Sequence, residues 1–364
     1  PALFDLKSLD SRGAEHDLNH HAAKVPLGTV YGAFVGAAAV KLAEDQLQVL
    51  LPKLIGTSGN YELIVFGIVL VLMLKFAPKG LSSLVARWFP FQRAARETGG
   101  AEVLPARDKP KAGTLLLEVQ AIRKQFGGLI AVKDVSFEMR TGEIVGLIGP
   151  NGAGKSTTFN LISGVLGLSS GMVSLRSERI DGLASREVAR RGMSRTFQHA
   201  KLVPDMTVLE NVAIGAYLRG RSGTFRAMLR LDRAEERRVF QEAARQLQRI
   251  GLERYADELA GNLALGPQRL VEIARALASD PSVLLLDEPA AGLRHKEKQA
   301  LADVLSQLRA EGLSLLLVEH DMDFVMKLTD HIVVMEFGTK LMEGAPAEVR
   351  ASPLVRAAYL GMEH

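Results

Sequence analysis

Residues 149–157 have the types and spacing of a loop that wraps around phosphate groups. The sequence there is Gly-Pro-Asn-Gly-Ala-Gly-Lys-Ser-Thr, and its glycines let the backbone curl so that successive N–H groups face a phosphate. Lys155 can bridge the β- and γ-phosphates of a nucleotide, and the Ser156 hydroxyl can bind Mg²⁺. The predicted phosphate-binding residues are Gly149, Pro150, Asn151, Gly152, Ala153, Gly154, Lys155, Ser156 and Thr157.

The elements around this loop must place it between the end of a strand and the start of a helix. The apolar run 144–148 predicts a buried strand directly before the loop. We expect a helix to begin near Lys155 and to direct the positive end of its dipole at the phosphates. A glycine-rich turn before an ordinary helix is the alternative interpretation.

Two acids stand at the end of a second predicted strand, 283–286. Asp287 has the position of a Walker B residue that holds the Mg²⁺ shell, and Glu288 is placed to polarise the attacking water. Standing alone, such a pair could also cap a helix at the exit of a strand.

Two more side chains fit the same order of elements. His320 follows a third apolar strand, 315–318, and is a candidate sensor of the γ-phosphate. Gln198 lies between the two motifs, and its amide could reach Mg²⁺ or the water. A single His or Gln is more often an ordinary surface or core residue, so these assignments depend on the order of the whole set.

This order of motifs resembles the ATPase of an ABC transporter, with residues 263–269 at the position of the family signature. The resemblance implies an α/β P-loop NTPase, whose ABC ATPase core carries an antiparallel β subdomain and a helical subdomain. It also implies that the signature opens a helix that faces the γ-phosphate held by a second ATPase protomer. The implied nucleotide contacts are Leu263, Ala264, Gly266 and Gln268. Phe126 has the position of the aromatic that stacks on adenine in this family, and an ordinary core residue is the alternative interpretation.

Five segments narrow the resemblance, which covers residues 114–364, to one branch of these transporters. They are 195–198, 206–212, 287–293, 318–322 and 359–361. The branch energises uptake of branched-chain amino acids or related small polar solutes, such as urea or short amides. It implies ATP and Mg²⁺ as cofactors, and permease subunits, a second ATPase protomer and an extracytoplasmic solute-binding protein as partners. It also implies a location at the inner (plasma) membrane, with the ATPase on the cytoplasmic side.

Three residues depart from the common family pattern. Ala264 replaces the usual Ser of the signature, which removes a hydroxyl contact to the γ-phosphate. Pro267 stands where Gln is usual; proline suits the first turn of a helix, but it lacks an N–H and an amide side chain. Arg294 stands where Asp or Asn usually ends the loop after Walker B, called the D-loop, and it replaces the polar group expected to make a contact across the protomers.

Composition argues against several other classes of protein. The net charge is +4 with acids and bases interspersed, which is not typical of a dedicated nucleic-acid binder. No Cys is present, so disulfide and thiol chemistry are excluded. The chain opens at Pro1 rather than Met, which suggests processing or truncation, and no signal-peptide pattern leads it.

The N-terminal part, residues 1–92, has a different character. Glycines at 28, 32 and 36 form the small-residue face of a closely packed membrane helix, and 63–74 is an unbroken apolar run. Membrane helices are therefore predicted, with a soluble helical hairpin as the alternative. The stretch also resembles the C-terminal end of the permease subunit of the same branch. A linker, 93–113, would join this permease remnant to the ATP-binding domain, 114–364.

Three rival functions remain open. A non-transport ABC ATPase acting on DNA or ribosomes would not need the apolar N-terminal part. A silent regulatory module would be expected to lack Lys155 or Glu288, and both are present. Lipopolysaccharide export uses a similar ATPase, but the segments 195–198 and 290–293 favour uptake.

Overall fold

The computed structural model describes residues 104–196, 201–220 and 233–360, with a few residues before them. Contacts divide the chain into two compact units, Pro1–Arg96 and Glu97–His364, and the elements below belong to the second. The residues described before 104 are Lys41, Asp45, Gln46, Gly67, Ile68, Val71, Lys75 and Glu102.

The predicted membrane helices and the permease-like stretch fall on residues 1–92, which lie outside the described residues apart from those scattered positions. Among the described residues, no helix combines the length and apolar content needed to cross a membrane. The predicted domain limits at 92 and 113 stay predictions.

Two sheets organise the described part of the second unit. The strands are β1 (Leu115–Phe126), β2 (Leu129–Arg140), β3 (Ile144–Ile148), β4 (Ser170–Leu175), β5 (Glu178–Arg179), β6 (Met193–Arg195), β7 (Val283–Asp287), β8 (Ser314–Val318), β9 (His331–Glu336) and β10 (Thr339–Gly344). A four-stranded antiparallel sheet has the order β2-β1-β4-β5. A six-stranded sheet has the order β10-β9-β3-β8-β7-β6, in which only β10 runs antiparallel to its neighbour.

Helices surround these sheets and also build a separate layer. They are α1 (Lys155–Ile162), α2 (Ser185–Arg190), α3 (Val208–Ala216), α4 (Arg233–Arg249), α5 (Leu265–Leu277), α6 (His295–Ala310), α7 (Met322–Leu328), α8 (Pro346–Ala351) and α9 (Pro353–Leu360). Helices α3, α4 and α5 pack on one another and form the helical subdomain. The fold is therefore the α/β P-loop arrangement that the resemblance implied, with its antiparallel β subdomain and helical subdomain.

The central strands of the larger sheet have unbroken apolar sequences. Every residue of β3, β7 and β8 is buried. Parallel strands with both faces covered have this composition, whereas a half-exposed strand alternates apolar and polar residues. The strands predicted at 144–148, 283–286 and 315–318 are confirmed.

The helical subdomain is held together by a close backbone approach. In α3, a Cβ added at Gly215 would lie 1.7 Å from the carbonyl oxygen of Arg275 in α5, so any side chain would separate the two helices. Thr207 caps α3: its side chain accepts the N–H of Glu210, whose carboxylate accepts the N–H of Thr207 in return.

Part of the predicted linker packs against the sheets and helices described above. We call residues 104–109 the strap. Arg107 of the strap bonds to the core. Its backbone N–H donates to the carboxylate of Asp280, and its guanidinium donates to the carbonyl oxygens of Asp280 and Arg190, at 3.1 and 2.8 Å. On the helical subdomain, Arg219 donates to two strap carbonyls, at 3.2 and 3.0 Å. The strap therefore crosses from one subdomain to the other.

Candidate nucleotide site

The predicted catalytic segments meet because the strands before them are parallel. Strands β3, β8 and β7 lie side by side in the sheet, and β6 follows β7. Parallel neighbours end at the same edge of a sheet, and ligands bind in the crevice outside those carboxyl ends. The phosphate loop, the acids after β7 and His320 after β8 therefore share one edge.

The phosphate loop is built so that its glycines cannot be replaced. A Cβ at Gly149 would lie 2.1 Å from the carbonyl oxygen of Met335 in β9. Gly154 has a φ of +92°, and a Cβ there would lie 2.6 Å from the carbonyl oxygen of Ala131 in β2. The loop thus fits between both sheets with bare backbone, the form that a loop wrapped around a phosphate requires.

Lys155 begins helix α1 directly after this loop. Its ammonium donates to the carbonyl oxygens of Gly149 and Pro150, at 2.6 and 2.8 Å, and only 9% of the residue is exposed. Burial lowers the pKa of Lys155, and the nearby Glu288 carboxylate opposes that shift. The charge is therefore held over the loop, at the end of the helix where the dipole is positive.

Asp287 is buried at the end of β7 and forms an ion pair with Arg195. Nη2 of Arg195 lies 2.9 Å from Oδ2 of Asp287. Within the described residues, Oδ1 of Asp287 accepts no hydrogen bond, so it is open to a metal or a metal-bound water. Ser156, whose hydroxyl stands at the start of α1, is exposed. These oxygens suit Mg²⁺, which prefers carboxylate, hydroxyl and water ligands.

Glu288 has an unusual backbone conformation for a residue with a side chain. Its φ is +47°, and its N–H donates to the carbonyl oxygen of Val318 at 2.9 Å. Residues held in this region cost on the order of 1–3 kcal/mol and cluster at functional sites. The turn brings Glu288 out of the buried strand, and its side chain is half-exposed.

Glu319 is a buried acid at this edge of the sheet, and sequence reasoning assigned no role to it. It is 1% exposed, and it accepts the N–H of Ala290 at 2.7 Å and that of His320 at 3.1 Å. Burial raises the pKa of Glu319, and these hydrogen bonds partly oppose the shift. The carboxylate therefore ties the loop after Glu288 to the exposed His320. Its only sequence signal was an acid next to the candidate His.

Comparison with known proteins identifies the family of this site. The high-affinity branched-chain amino acid transport ATP-binding protein LivG of Salmonella typhimurium is 44% identical over 249 residues, which are 68% of this chain and 98% of the relative. The chain belongs to the ABC transporter ATPases. The family described as ABC transporter matches residues 132–291, and that described as branched-chain amino acid ATP-binding cassette transporter matches 339–364.

Solved structures of ABC ATPases agree with this family. The crystal structure of a nucleotide-free ATP-binding cassette from an ABC transporter is 32% identical, with a TM-score of 0.61 over 68% of this chain and 99% of that one. A dimeric, post-hydrolysis cassette, MJ0796 bound to ADP and phosphate, is 28% identical, with a TM-score of 0.54 over 64% of this chain and 99% of that one. The chain is thus an ATPase of the ABC family, which binds ATP.

The signature segment of this ABC ATPase opens helix α5, which begins directly after Ala264. Ala264 is the N-cap residue but offers no side-chain hydrogen bond, because it has no oxygen. Pro267 lies in the first turn, where its missing N–H leaves no intrahelical bond unmade. Gln268 donates to the carbonyl oxygen of Leu263 at 2.8 Å, which fixes the segment just before the helix.

The predicted signature segment lies against Gly292 and Glu297 of the same chain. A Cβ at Gly292, whose φ is +76°, would lie 3.1 Å from the Leu265 side chain, and one at Gly266 would lie 2.8 Å from Glu297. Glu297 also accepts the N–H of Arg294 at 2.8 Å. Two of the three departures, Ala264 and Arg294, are therefore exposed on segments that lie against each other.

Phe126 stands apart from this cluster. Phe126 ends β1, is 46% exposed, and has the ammonium of Lys124 5.1 Å from its ring centre. An exposed ring at the end of a hairpin suits stacking better than core packing, so the core alternative is wrong. Gln198 lies outside the described residues.

Proposed function

We propose that the chain hydrolyses ATP to power the import of branched-chain amino acids or a related small polar solute. The observation that carries the chemistry is the meeting of Lys155, Asp287, Glu288 and His320 at one sheet edge. The resemblance of the last residues, 339–364, to the branched-chain amino acid cassettes supports the solute class.

ATP binding begins with an exchange of partners at Lys155. Its ammonium now bonds two loop carbonyls, and it would turn to the β- and γ-phosphate oxygens. The N–H groups of the loop and of the first turn of α1 would hold the β-phosphate. Phe126 would stack on adenine, which is worth about 1 kcal/mol.

Hydrolysis would depend on Glu288 as the base that takes a proton from the attacking water. His320 and Gln198 would position the γ-phosphate and that water. Ser156, Asp287 and Gln198 would hold Mg²⁺, which when bound supplies positive charge beside the phosphate oxygens. The carboxylate of Glu319 accepts the backbone N–H of His320 and would thereby hold His320 in place at the edge of the sheet.

Two protomers would complete each site. The signature residues Leu263, Ala264, Gly266 and Gln268 would face the nucleotide of the second protomer. Helix α5 begins there, so its free N–H groups and dipole would meet the γ-phosphate. Hydrolysis would reopen the pair, and permease subunits would sense this motion through the groove between the core and the helical subdomain.

The remaining partners follow from the same branch of transporters. A solute-binding protein outside the membrane would deliver the solute, and the ATPase would work on the cytoplasmic side of the inner membrane. Residues 25–92 would associate with the membrane as a permease remnant. If that fragment, expressed alone, stayed monomeric in detergent-free buffer and ignored lipid vesicles, this part of the proposal would be wrong.

The test is solute-stimulated ATP hydrolysis by the complex purified from native membrane and reconstituted with its partners. We expect stimulation by leucine, isoleucine or valine, abolished by Glu288→Gln and kept by Glu253→Gln, a change at an exposed position away from the site. Stimulation by urea or a short amide alone would overturn the amino-acid assignment. Co-purification with a lipopolysaccharide exporter would overturn import, and absence of hydrolysis would overturn the ATPase assignment.

A further inference from the structure

Arg195 is a largely buried side chain at the site to which the proposed mechanism assigns no role. It ends β6, next to β7 in the sheet, and its backbone pairs in register with Leu285. Its side chain is only 18% exposed. Gln198 follows three positions later, so β6 leads directly into the segment predicted to carry the water-positioning amide.

The guanidinium of Arg195 is fixed by helix α1. Nη1 donates to Oδ1 of Asn160 at 2.5 Å and to Oγ of Ser163 at 3.1 Å, and the group lies 4.7 Å from the ring centre of Phe159. These contacts hold one edge and one face of the planar group. The other edge is directed at Asp287, at 2.9 Å. The orientation of the Arg195 guanidinium is thus set by neighbours to which the proposed mechanism assigns no role.

The carboxylate of Asp287 is divided between two environments. Oδ2 accepts from Arg195, while Oδ1 accepts no hydrogen bond within the described residues. A carboxylate at the end of a side chain rotates about its last bond, so a hydrogen bond to one oxygen sets the direction of the other. Arg suits this task because its rigid fork can bond Asp287 and its own anchors at once.

We propose that Arg195 is a positioning residue that turns Asp287 so that Oδ1 faces the Mg²⁺ shell, and thereby sets the Mg²⁺ concentration that ATP binding requires. The inference rests on the proposed role of Asp287. Partners that orient metal ligands from behind typically change metal affinity by about 10–100-fold when they are removed. The phosphate loop and Lys155 are untouched by such a change.

The variants form a graded series. Arg195→Gln removes the charge and the fork. Arg195→Lys keeps a charge, but a single ammonium cannot bond Asp287 and both anchors in the same geometry. Asn160→Ala leaves the ion pair and removes one anchor. Arg219→Gln is the matched control, because Arg219 is similarly buried, at 11%, and also pairs with a buried carboxylate, Glu242, away from the site.

The experiment titrates Mg²⁺ against binding of a fluorescent ATP analogue to the full chain, beginning in EDTA. For Arg195→Gln we expect metal-free binding within about twofold of wild type and a Mg²⁺ midpoint raised about 10–100-fold. Arg195→Lys and Asn160→Ala should give smaller shifts in the same direction. Arg219→Gln should lower the melting temperature without moving the midpoint.

The possible outcomes distinguish failure of the positioning role of Arg195 from failure of the proposed ATPase function. An unchanged Mg²⁺ midpoint in Arg195→Gln overturns the positioning role and leaves the ATPase assignment intact. If Arg195→Gln does not fold, unchanged midpoints in Asn160→Ala and Arg195→Lys have the same meaning. A shift in Arg219→Gln equal to that in Arg195→Gln also overturns it, because loss of any buried pair would then suffice. Failure of the wild type to bind the analogue at any Mg²⁺ concentration overturns the proposed function itself.

Discussion

Two regions of the chain are predicted to be the two halves of an ATP site, and they differ in how deeply they are buried. The Walker half is recessed: Lys155 and Asp287 are buried, and glycines clear space for the loop between two sheets. The signature half lies open: Ala264 is exposed and Leu265 is 41% exposed at the start of α5. The first half is enclosed by contacts within this chain, whereas the second lies open to solvent at the start of α5.

The largest effect on ATP binding is expected when the positive charge of the recessed half is removed. Lys155→Ala should abolish ATP binding, because the phosphates lose the ammonium that bridges them. Binding of a labelled ATP analogue measures this directly. Lys296→Ala, at an exposed position in α6, is the control and should bind normally. Near wild-type affinity in Lys155→Ala would show that the loop does not hold phosphate through this residue.

A second change separates chemistry from binding within the same half. Glu288→Gln keeps the shape of the side chain and removes its basicity, so hydrolysis should slow by about 10²–10⁴-fold while ATP stays bound. The variant should then accumulate as a dimer with ATP but not with ADP, seen by size-exclusion chromatography. Normal turnover would remove Glu288 from its role, and slow turnover without a dimer would refute closure of the two halves.

Glu319 tests how the recessed half is braced. Glu319→Gln can still accept one of the two N–H groups, and the other is left unsatisfied, which costs about 1–3 kcal/mol. Burial raises the pKa of Glu319 above its ordinary 4.5, so the folded state holds the proton at a higher pH than the unfolded state does. Wild-type stability therefore falls as pH rises above that value.

The variant lacks this titration, so its disadvantage relative to wild type should narrow from acid towards neutral pH. Melting temperatures of both proteins, measured from pH 5 to pH 8, give the comparison. A disadvantage that widened with pH would mean that Glu319 is favoured as a charge in the folded state.

In the open half, substitutions that restore the usual family residues should maintain or raise ATP hydrolysis rather than lower it, because they add back polar groups. Arg294→Asn and Pro267→Gln restore the usual residues. We expect hydrolysis to stay the same or to rise by up to about tenfold, as one or two hydrogen bonds are regained between protomers. Steady-state ATP turnover at several protein concentrations measures this. A clear loss would show that the chain closes with a different geometry.

The smallest expected effect comes from the helix cap. Ala264 has the extended backbone of an N-cap residue, with φ −66° and ψ 162°, and Ser there could accept an N–H of the first turn. Ala264→Ser should therefore stabilise the protein by about 1 kcal/mol, measured by urea unfolding. Destabilisation would mean that the hydroxyl finds no donor in this first turn, which contains Pro267.

Sequence reasoning succeeded where function depends on contiguous residues. The strand before Gly149, the helix beginning at Lys155 and the acids after β7 follow from apolar runs and a short motif. It did not find the roles of Arg195 and Glu319. Each acts through residues far along the chain, at positions 287 and 290, and such contacts depend on the order of strands in the sheet, which periodicity alone does not give.

The strap makes the ATPase a poor candidate for modular exchange. A fragment cut at the predicted boundary of 113 would leave Arg219 without two of its carbonyl acceptors and Asp280 without Arg107 and without Lys109, which lies 3.6 Å away. The cut surface runs across both subdomains. A gene fusion that replaces the segment before the ATPase must therefore keep residues 104–109 or change the residues that they contact. The part of the chain that must be transferred as one piece is longer than the catalytic motifs alone.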